Sequence, residues 1–199
     1  MRGRFVVVEG GEGSGKSTQA RRLASRLGAL LTREPGGTAA GRALRALVLE
    51  PATVLDDRAE ALLLAADRAQ HVEEVVRPAL EKGLDVVSDR YAASTFAYQG
   101  WGRGLDVEEL RRLSAWAAAG LEPDLVVLLE IDPSAAARRL EGSPDRMEGA
   151  GVDFHHRVAA GYRALADADP VRWRVVDATP DEEAVAEAVW QAYENWAQA

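Results

Sequence analysis

Near the amino terminus, Gly10-Gly11-Glu12-Gly13-Ser14-Gly15-Lys16-Ser17, followed by Thr18, has the residue types and spacing that bind polyphosphate. The string fits G-x-x-x-x-G-K-[ST], in which small residues let the backbone curl until several N–H groups face one centre. Lys16 would then reach the β- and γ-phosphates of a nucleoside triphosphate, with ATP the expected donor. The Ser17 hydroxyl would ligate the Mg²⁺ that travels with it. Lys16 and Lys82 are the only lysines in an arginine-rich chain, so a scarce residue occupies the position the motif reserves for it. Two more strings place charges directly after apolar runs: Thr32-Arg33-Glu34-Pro35-Gly36-Gly37-Thr38 and Ser88-Asp89-Arg90-Tyr91. Asp89, following Val86-Val87, is placed to hold Mg²⁺ or its waters, and Arg90 to clamp a second phosphate.

These residues can act together only if the elements beneath them bring them to one edge. Apolar, strand-like runs at 5–8, 29–31, 84–87, 125–131 and 173–176 alternate with helical segments. Phe5-Val6-Val7-Val8 is continuous, as in a parallel strand buried on both faces, and Ala20, Leu23, Ala24 and Leu27 recur at helical spacing behind the phosphate string. Such alternation implies right-handed βαβ crossovers and an α/β fold, an open five-stranded parallel sheet with helices on both faces and ligands at the carboxyl ends of the strands. The phosphate string then leads into a helix N-terminus, whose free N–H groups favour an anion. A helical stretch over 56–82 is expected to break near Pro78, which has no backbone donor. Asp132-Pro133 opens a short helix, and Thr179-Pro180-Asp181-Glu182 reads as the cap, first-turn proline and capping-box glutamate of a last helix reaching about 196.

At 199 residues and 47% hydrophobic, the chain can bury one substantial core, and a single domain over 1–199 is expected. A formal charge of −8 argues against broad binding to nucleic acid or to an anionic membrane. Without cysteine there is no disulfide framework or thiolate metal site, and no run approaches membrane-spanning length. The first residues lack an apolar leader, so the expected compartment is the cytoplasm. His71, His155 and His156 show no spacing that suggests zinc and read as surface or packing residues. A guanine-specific switch needs an N-K-x-D reader, and the sole asparagine is Asn195.

In this order the strings closely resemble the thymidylate kinase family of nucleoside monophosphate kinases. The resemblance covers nearly the whole chain: 5–10 running into the phosphate string, the Thr32 to Thr38 string, Asp89-Arg90-Tyr91 followed by Ser94-Thr95 and Ala97-Tyr98-Gln99-Gly100, and Asp145-Arg146-Met147-Glu148. It implies the P-loop nucleoside monophosphate kinase fold, transfer of the γ-phosphoryl of Mg-ATP to dTMP, and a homodimer. It further implies that Arg45 and Arg90 hold the acceptor phosphate, that Arg68 reads thymine, and that Tyr98 and Gln99 line base and sugar, with Tyr98 crowding a ribose 2′-hydroxyl. Glu34, Pro35 and Thr95 belong to the same acceptor site. Glu12 matches a family carboxylate on the acceptor side, with Glu9 assisting. On spacing alone Arg42, one turn from Arg45, could serve in its place.

Two positions depart from the family pattern. Leu64 stands where the family usually offers a phenylalanine to stack on thymine, which keeps dUMP or another nucleoside monophosphate open as acceptor. Gly13 stands where some members carry an arginine. The arginine must then come from a lid over about 138–152, as in the bacterial arrangement, with Arg138, Arg139 and Arg146 as candidates. Related lids often carry another arginine where Glu141 stands. From a different class, an ATP-driven switch would be told from a kinase by hydrolysis that needs no acceptor.

Overall fold

The computed structural model describes residues 1–140 and 145–198. Five strands, β1 (Phe5–Gly10), β2 (Leu30–Arg33), β3 (Val86–Asp89), β4 (Leu125–Glu130) and β5 (Trp173–Asp177), form one sheet in the order β2-β3-β1-β4-β5. Every pairing is parallel. Between and after the strands run α1 (Lys16–Leu27), α2 (Ala39–Leu49), α3 (Asp57–His71), α4 (Arg77–Glu81), α5 (Ala92–Thr95), α6 (Val107–Ala117), α7 (Pro133–Ala137), α8 (Val152–Ala168) and α9 (Glu182–Ala197). Parallel neighbours require a crossover between each pair, and the helices supply it on both faces of the sheet.

Burial explains the strand sequences. Phe5 and Val7 pack with Val72, Val76 and Leu80 on one face, while Val6 and Val8 join Leu23, Val127 and Val189 on the other. A strand covered on both faces has no solvent side, so its sequence is a continuous apolar run. Edge strand β2 instead alternates half-buried with exposed residues. No described helix is long and apolar enough to cross a membrane.

Several boundaries differ from the sequence expectation. β2 and β3 both run two residues further, so Thr32, Arg33, Ser88 and Asp89 are strand residues, paired Thr32 with Ser88 and Arg33 with Asp89. Arg33 and Asp89 line a cleft, while Ser88 is fully buried and donates from Oγ to the Arg90 carbonyl at 2.7 Å. The last helix begins at Glu182, and its cap is Asp181, whose Oδ1 accepts from the Ala184 N–H at 2.9 Å. Thr179 is not the cap; its N–H donates to Asp177 Oδ1 at 2.8 Å, in a turn that ends β5. Pro78 does not break the long helix. A π turn at Val72–Val76 widens the coil just ahead of α4, which accommodates the proline ring against the preceding carbonyl.

Candidate active site

α1 begins at Lys16, and Gly15 before it, at φ 84°, brings no side chain to the first turn. The orphan N–H groups of the helix start are thus left for an anion, with the partial positive charge of the helix behind them. Gly13, at φ 73°, lies so close to α7 that a Cβ would meet the Ala136 carbonyl oxygen at 2.3 Å. The loop therefore has no room for an arginine at that position. Lys16 Nζ donates to the Gly11 carbonyl at 3.0 Å and to Glu12 Oε2 at 3.2 Å. Burial, with repulsion from Arg90, lowers the pKa of the Lys16 ammonium. Ser17 Oγ donates to Asp89 Oδ2 at 2.5 Å, and Asp89 Oδ1 is buried with no partner among the described residues.

Arg90 stands at the centre, in a left-handed backbone conformation (φ 71°) that a residue with a Cβ adopts only when its surroundings impose it. Its N–H is bonded to the Val8 carbonyl at 3.0 Å, and Nη1 donates to Gly10 O (3.2 Å), Ser94 Oγ (3.0 Å) and Tyr162 Oη (3.1 Å). Nη2 binds Glu12 Oε1 and donates to Tyr98 Oη at 3.1 Å. Burial opposes ionisation of Glu12, but the charges of Arg90 and Lys16 outweigh it and hold the carboxyl well below the usual range. Tyr98 Oη also donates to Glu12 Oε1 at 3.0 Å, so the loop carboxylate and the guanidinium are locked together.

Glu9, expected beside the acceptor, lies beneath it instead. The residue is fully buried and does not line the cleft. Its oxygens accept from Tyr91 N (2.9 Å), Ser94 N (3.2 Å), Ser94 Oγ (2.7 Å) and Tyr162 Oη (3.0 Å). Ser94 and Tyr162 in turn carry Arg90, so Glu9 acts through them. Strand alternation explains the placement, since the last residues of β1 point alternately to the two faces.

A cleft runs from Lys16 and Ser17 to Arg68 and Gln99. Arg45 lines it and donates from Nη1 to the Pro35 carbonyl at 3.1 Å, whereas Arg42 is exposed and lies outside the lining. The pKa of Arg45 is lowered by burial and by Arg33 and Arg90. Three guanidiniums therefore converge on one wall, a concentration of charge that an incoming phosphate would relieve.

Deeper in, Arg68 is buried, with Nε donating to Glu34 Oε2 and Nη1 and Nη2 donating to Ser114 Oγ and Thr95 Oγ1, all at 3.0 Å. Glu34 Oε1 is bound to His71 Nδ1 at 2.9 Å, and His71 Nε2 meets Thr32 Oγ1 at 2.6 Å. Gln99 donates from Nε2 to Glu60 Oε1 at 2.6 Å, while its own Oε1 is buried without a partner among the described residues. Leu64 and Tyr98 also face the cleft.

The lid arginines point to three different places. Arg138 caps α7 and donates to the Ser134 carbonyl at 3.1 Å. Arg139 is tied to the loop after β5, donating to the carbonyls of Ala178 and Thr179 at 2.8 Å. Arg146 turns to the acceptor side, where it donates to the Val48 carbonyl at 2.7 Å and pairs with Glu60. Glu141 and the rest of 141–144 lie outside the described residues.

Arg33, Glu60, His71, Ser114 and Tyr162 were not among the site residues expected from sequence, and His71 is a buried connector rather than a bystander. One signal was available. Glu60, Leu64, Arg68 and His71 recur at spacings of four, four and three with Ala61 and Ala65, so polar residues occupy the core-facing stripe of α3. Charge on a buried stripe demands partners, and here the partners form the site.

With this geometry in place, the comparisons with known proteins agree. The family model described as Thymidylate kinase matches residues 8–189. The chain belongs to the thymidylate kinase family. It is 54% identical over 202 residues to the thymidylate kinase of Solidesulfovibrio magneticus, covering 94% of this chain and 96% of that one. Against the thymidylate kinase of Deinococcus radiodurans it is 48% identical, covering 96% of each. A crystal structure of thymidylate kinase from Ehrlichia chaffeensis superposes with a TM-score of 0.82 at 28% identity, over 97% of this chain and 100% of that one. The fold is thus the P-loop nucleoside monophosphate kinase fold.

Proposed function

We propose that dTMP lies in the cleft with its phosphate between Arg45 and Arg90, its thymine against Arg68, Gln99 and Leu64, and its sugar beside Tyr98, while the loop from Gly10 to Thr18 cradles ATP. The reaction is that of the family: the γ-phosphoryl group of ATP passes to dTMP, giving ADP and dTDP on the way to dTTP. One observation carries the assignment of roles. A single cleft joins a phosphate loop to a buried wall of Arg68 and Gln99, whose groups match the edge of a pyrimidine.

Ser17 and Asp89 suit Mg²⁺, which takes one or two protein oxygens and completes its shell with phosphates and water. When bound, the ion would neutralise charge on the β- and γ-phosphates. The chain's own residues do the rest. Arg45 and Arg90 bring the acceptor phosphate toward the loop, and Arg90 is fixed for this by Glu12, Tyr98 and Ser94. A phosphate oxygen of dTMP forms the new P–O bond as the bond to the ADP oxygen breaks. That oxygen is already ionised near neutral pH, so no general base is needed. Lys16 and a lid arginine stabilise the charge spread over the transferred group. Arg138 suits that part, because its guanidinium is held by a carbonyl of its own helix while Arg139 and Arg146 are committed elsewhere.

The 199 residues act as one kinase domain with its lid over about 138–152, working in the cytoplasm and without nucleic acid or membrane. Leu47, Leu62 and Trp116 are exposed on α2, α3 and α6, of which α3 packs against both of the others, which supports a second copy of the chain covering that face. Sedimentation at micromolar concentration should give a dimer; a monomer would remove this assignment. For the base site, a coupled assay should show Mg²⁺-dependent ADP formation that requires an acceptor, ordered dTMP first, then dUMP, ribo-TMP and AMP. Preference for AMP would refute the placement of thymine.

A further inference from the structure

Gln99 and Glu60 raise a question that their geometry answers: which end of the Gln99 amide faces the ligand. Gln99 is 1% exposed, lines the cleft, and has one polar atom engaged, Nε2, and one without a partner among the described residues, Oε1. An amide can be turned end for end, so its orientation is set by its neighbours. Here the neighbour is Glu60, 0% exposed, with Oε1 at 2.6 Å from the Gln99 nitrogen. Glu60 is itself held by two guanidiniums: Arg103 Nη2 donates to Oε2 at 3.2 Å, and Arg146 pairs with the same oxygen. Every hydrogen bond that Glu60 makes among the described residues is one it accepts, from Arg103, Arg146 and Gln99, so the Gln99 amide gives it the NH₂ end and turns its oxygen the other way.

We infer that Glu60 is a positioning residue for acceptor specificity: by fixing Gln99 as a hydrogen-bond acceptor, it selects pyrimidines that carry a proton at N3. The inference rests on thymine lying against Gln99. Thymine offers an N3–H donor beside an O4 acceptor, which complements Gln99 Oε1 beside the Arg68 guanidinium. A cytosine ring offers a bare N3 and an amino group at C4, the reverse pattern at both points. Were Gln99 free to turn, it could donate to a bare N3 and the distinction would weaken. The wrong base would otherwise leave two buried polar groups unpaired, which is how a site built on hydrogen bonds rejects a near-isostere. Arg146, one of the three candidates for the transferred phosphoryl, works in this account on the acceptor side, where it pairs with Glu60.

The test compares dTMP with 5-methyl-dCMP, which share methyl group, sugar and phosphate and differ only in the edge presented to Gln99 and Arg68. Glu60→Gln should lower the ratio of kcat/KM for dTMP over 5-methyl-dCMP by roughly 10- to 100-fold, chiefly through a higher KM for dTMP, with the KM for ATP little changed. Gln99→Leu should lower the same ratio, and the double variant should lower it no further, because the two residues act as one unit. If Gln99→Leu lowers the ratio while Glu60→Gln reduces both acceptors equally, Glu60 is only structural and the inference is overturned. If Gln99→Leu leaves the ratio unchanged, the placement of thymine fails first and takes the inference with it. Should Glu60→Gln not fold, Glu60→Asp keeps the charge but withdraws the carboxylate by one methylene. A folded Glu60→Asp with an undiminished ratio overturns the inference equally.

Discussion

On the proposed donor side of the cleft the groups available for binding are main-chain N–H donors of consecutive residues and one ammonium, that of Lys16. On the proposed acceptor side they are guanidinium and amide groups drawn from α2, α3, the residue after β3 and the π turn Phe96–Gly102 after α5. The donor half is aimed by backbone conformation, with glycines at 13 and 15 in the left-handed region. The acceptor half is aimed by buried carboxylates: Glu34 behind Arg68, Glu60 behind Gln99, and Glu9, through Ser94 and Tyr162, behind Arg90. A loop can recognise phosphate in any nucleotide, because phosphates are alike. A base edge is distinctive, and reading it takes side chains whose direction is fixed by a further layer of partners.

If the halves are separable in this way, variants should split kcat from acceptor binding. Lys16→Met should have the largest effect, a fall in kcat of roughly 10³-fold with little change in the KM for dTMP, since the charge it supplies is needed mainly at the transferring phosphoryl. A parallel loss of dTMP affinity would show that the two halves are one site. Arg45→Met should lower kcat/KM for dTMP by roughly 10- to 100-fold while leaving the KM for ATP near wild type. Were ATP binding to suffer as much, the cationic wall would belong to the donor.

A smaller effect concerns stability. Burial and the nearby Glu34 push the Asp67 carboxyl up to about 6, although its Oδ1 accepts from the Gly36 N–H at 2.9 Å. A carboxyl whose folded pKa lies above its unfolded one binds its proton more tightly in the folded state. That contribution is fully present below the ordinary aspartate pKa and is lost as pH rises through about 6. Asp67→Asn should therefore stabilise the chain by about 1–2 kcal/mol more near pH 7.5 than near pH 4, read from melting curves. An equal shift at both would place the cost elsewhere.

The donor half was legible because its information is contiguous. One strand, one motif and one helix start lie within residues 5–27, and their local physics fixes their geometry. Arg45, Tyr98 and Gln99 were assigned only through the resemblance, because nothing local distinguishes them from surface residues, whereas Arg68 also falls on the apolar stripe of α3. The supporting carboxylates were harder still. Glu60 and Glu34 acquire meaning only from groups 34 to 86 positions away along the chain, Arg68 and Arg146 among them. Glu9 was assigned to the wrong layer for a different reason: neighbouring strand residues point to opposite faces, and the string alone does not say which face holds the ligand. Thr32 and Asp89 were left in loops because the apolar runs stop before them, although both belong to strands.

Gly13 makes the layout of the two halves hard to change by single steps. With the Ala136 carbonyl oxygen 2.3 Å from where its Cβ would stand, any side chain there would unseat α7, the helix that leads into the lid. An arginine could enter the loop at this position only together with a shift of α7, so a single substitution here carries the cost of moving a helix before any new side chain can serve.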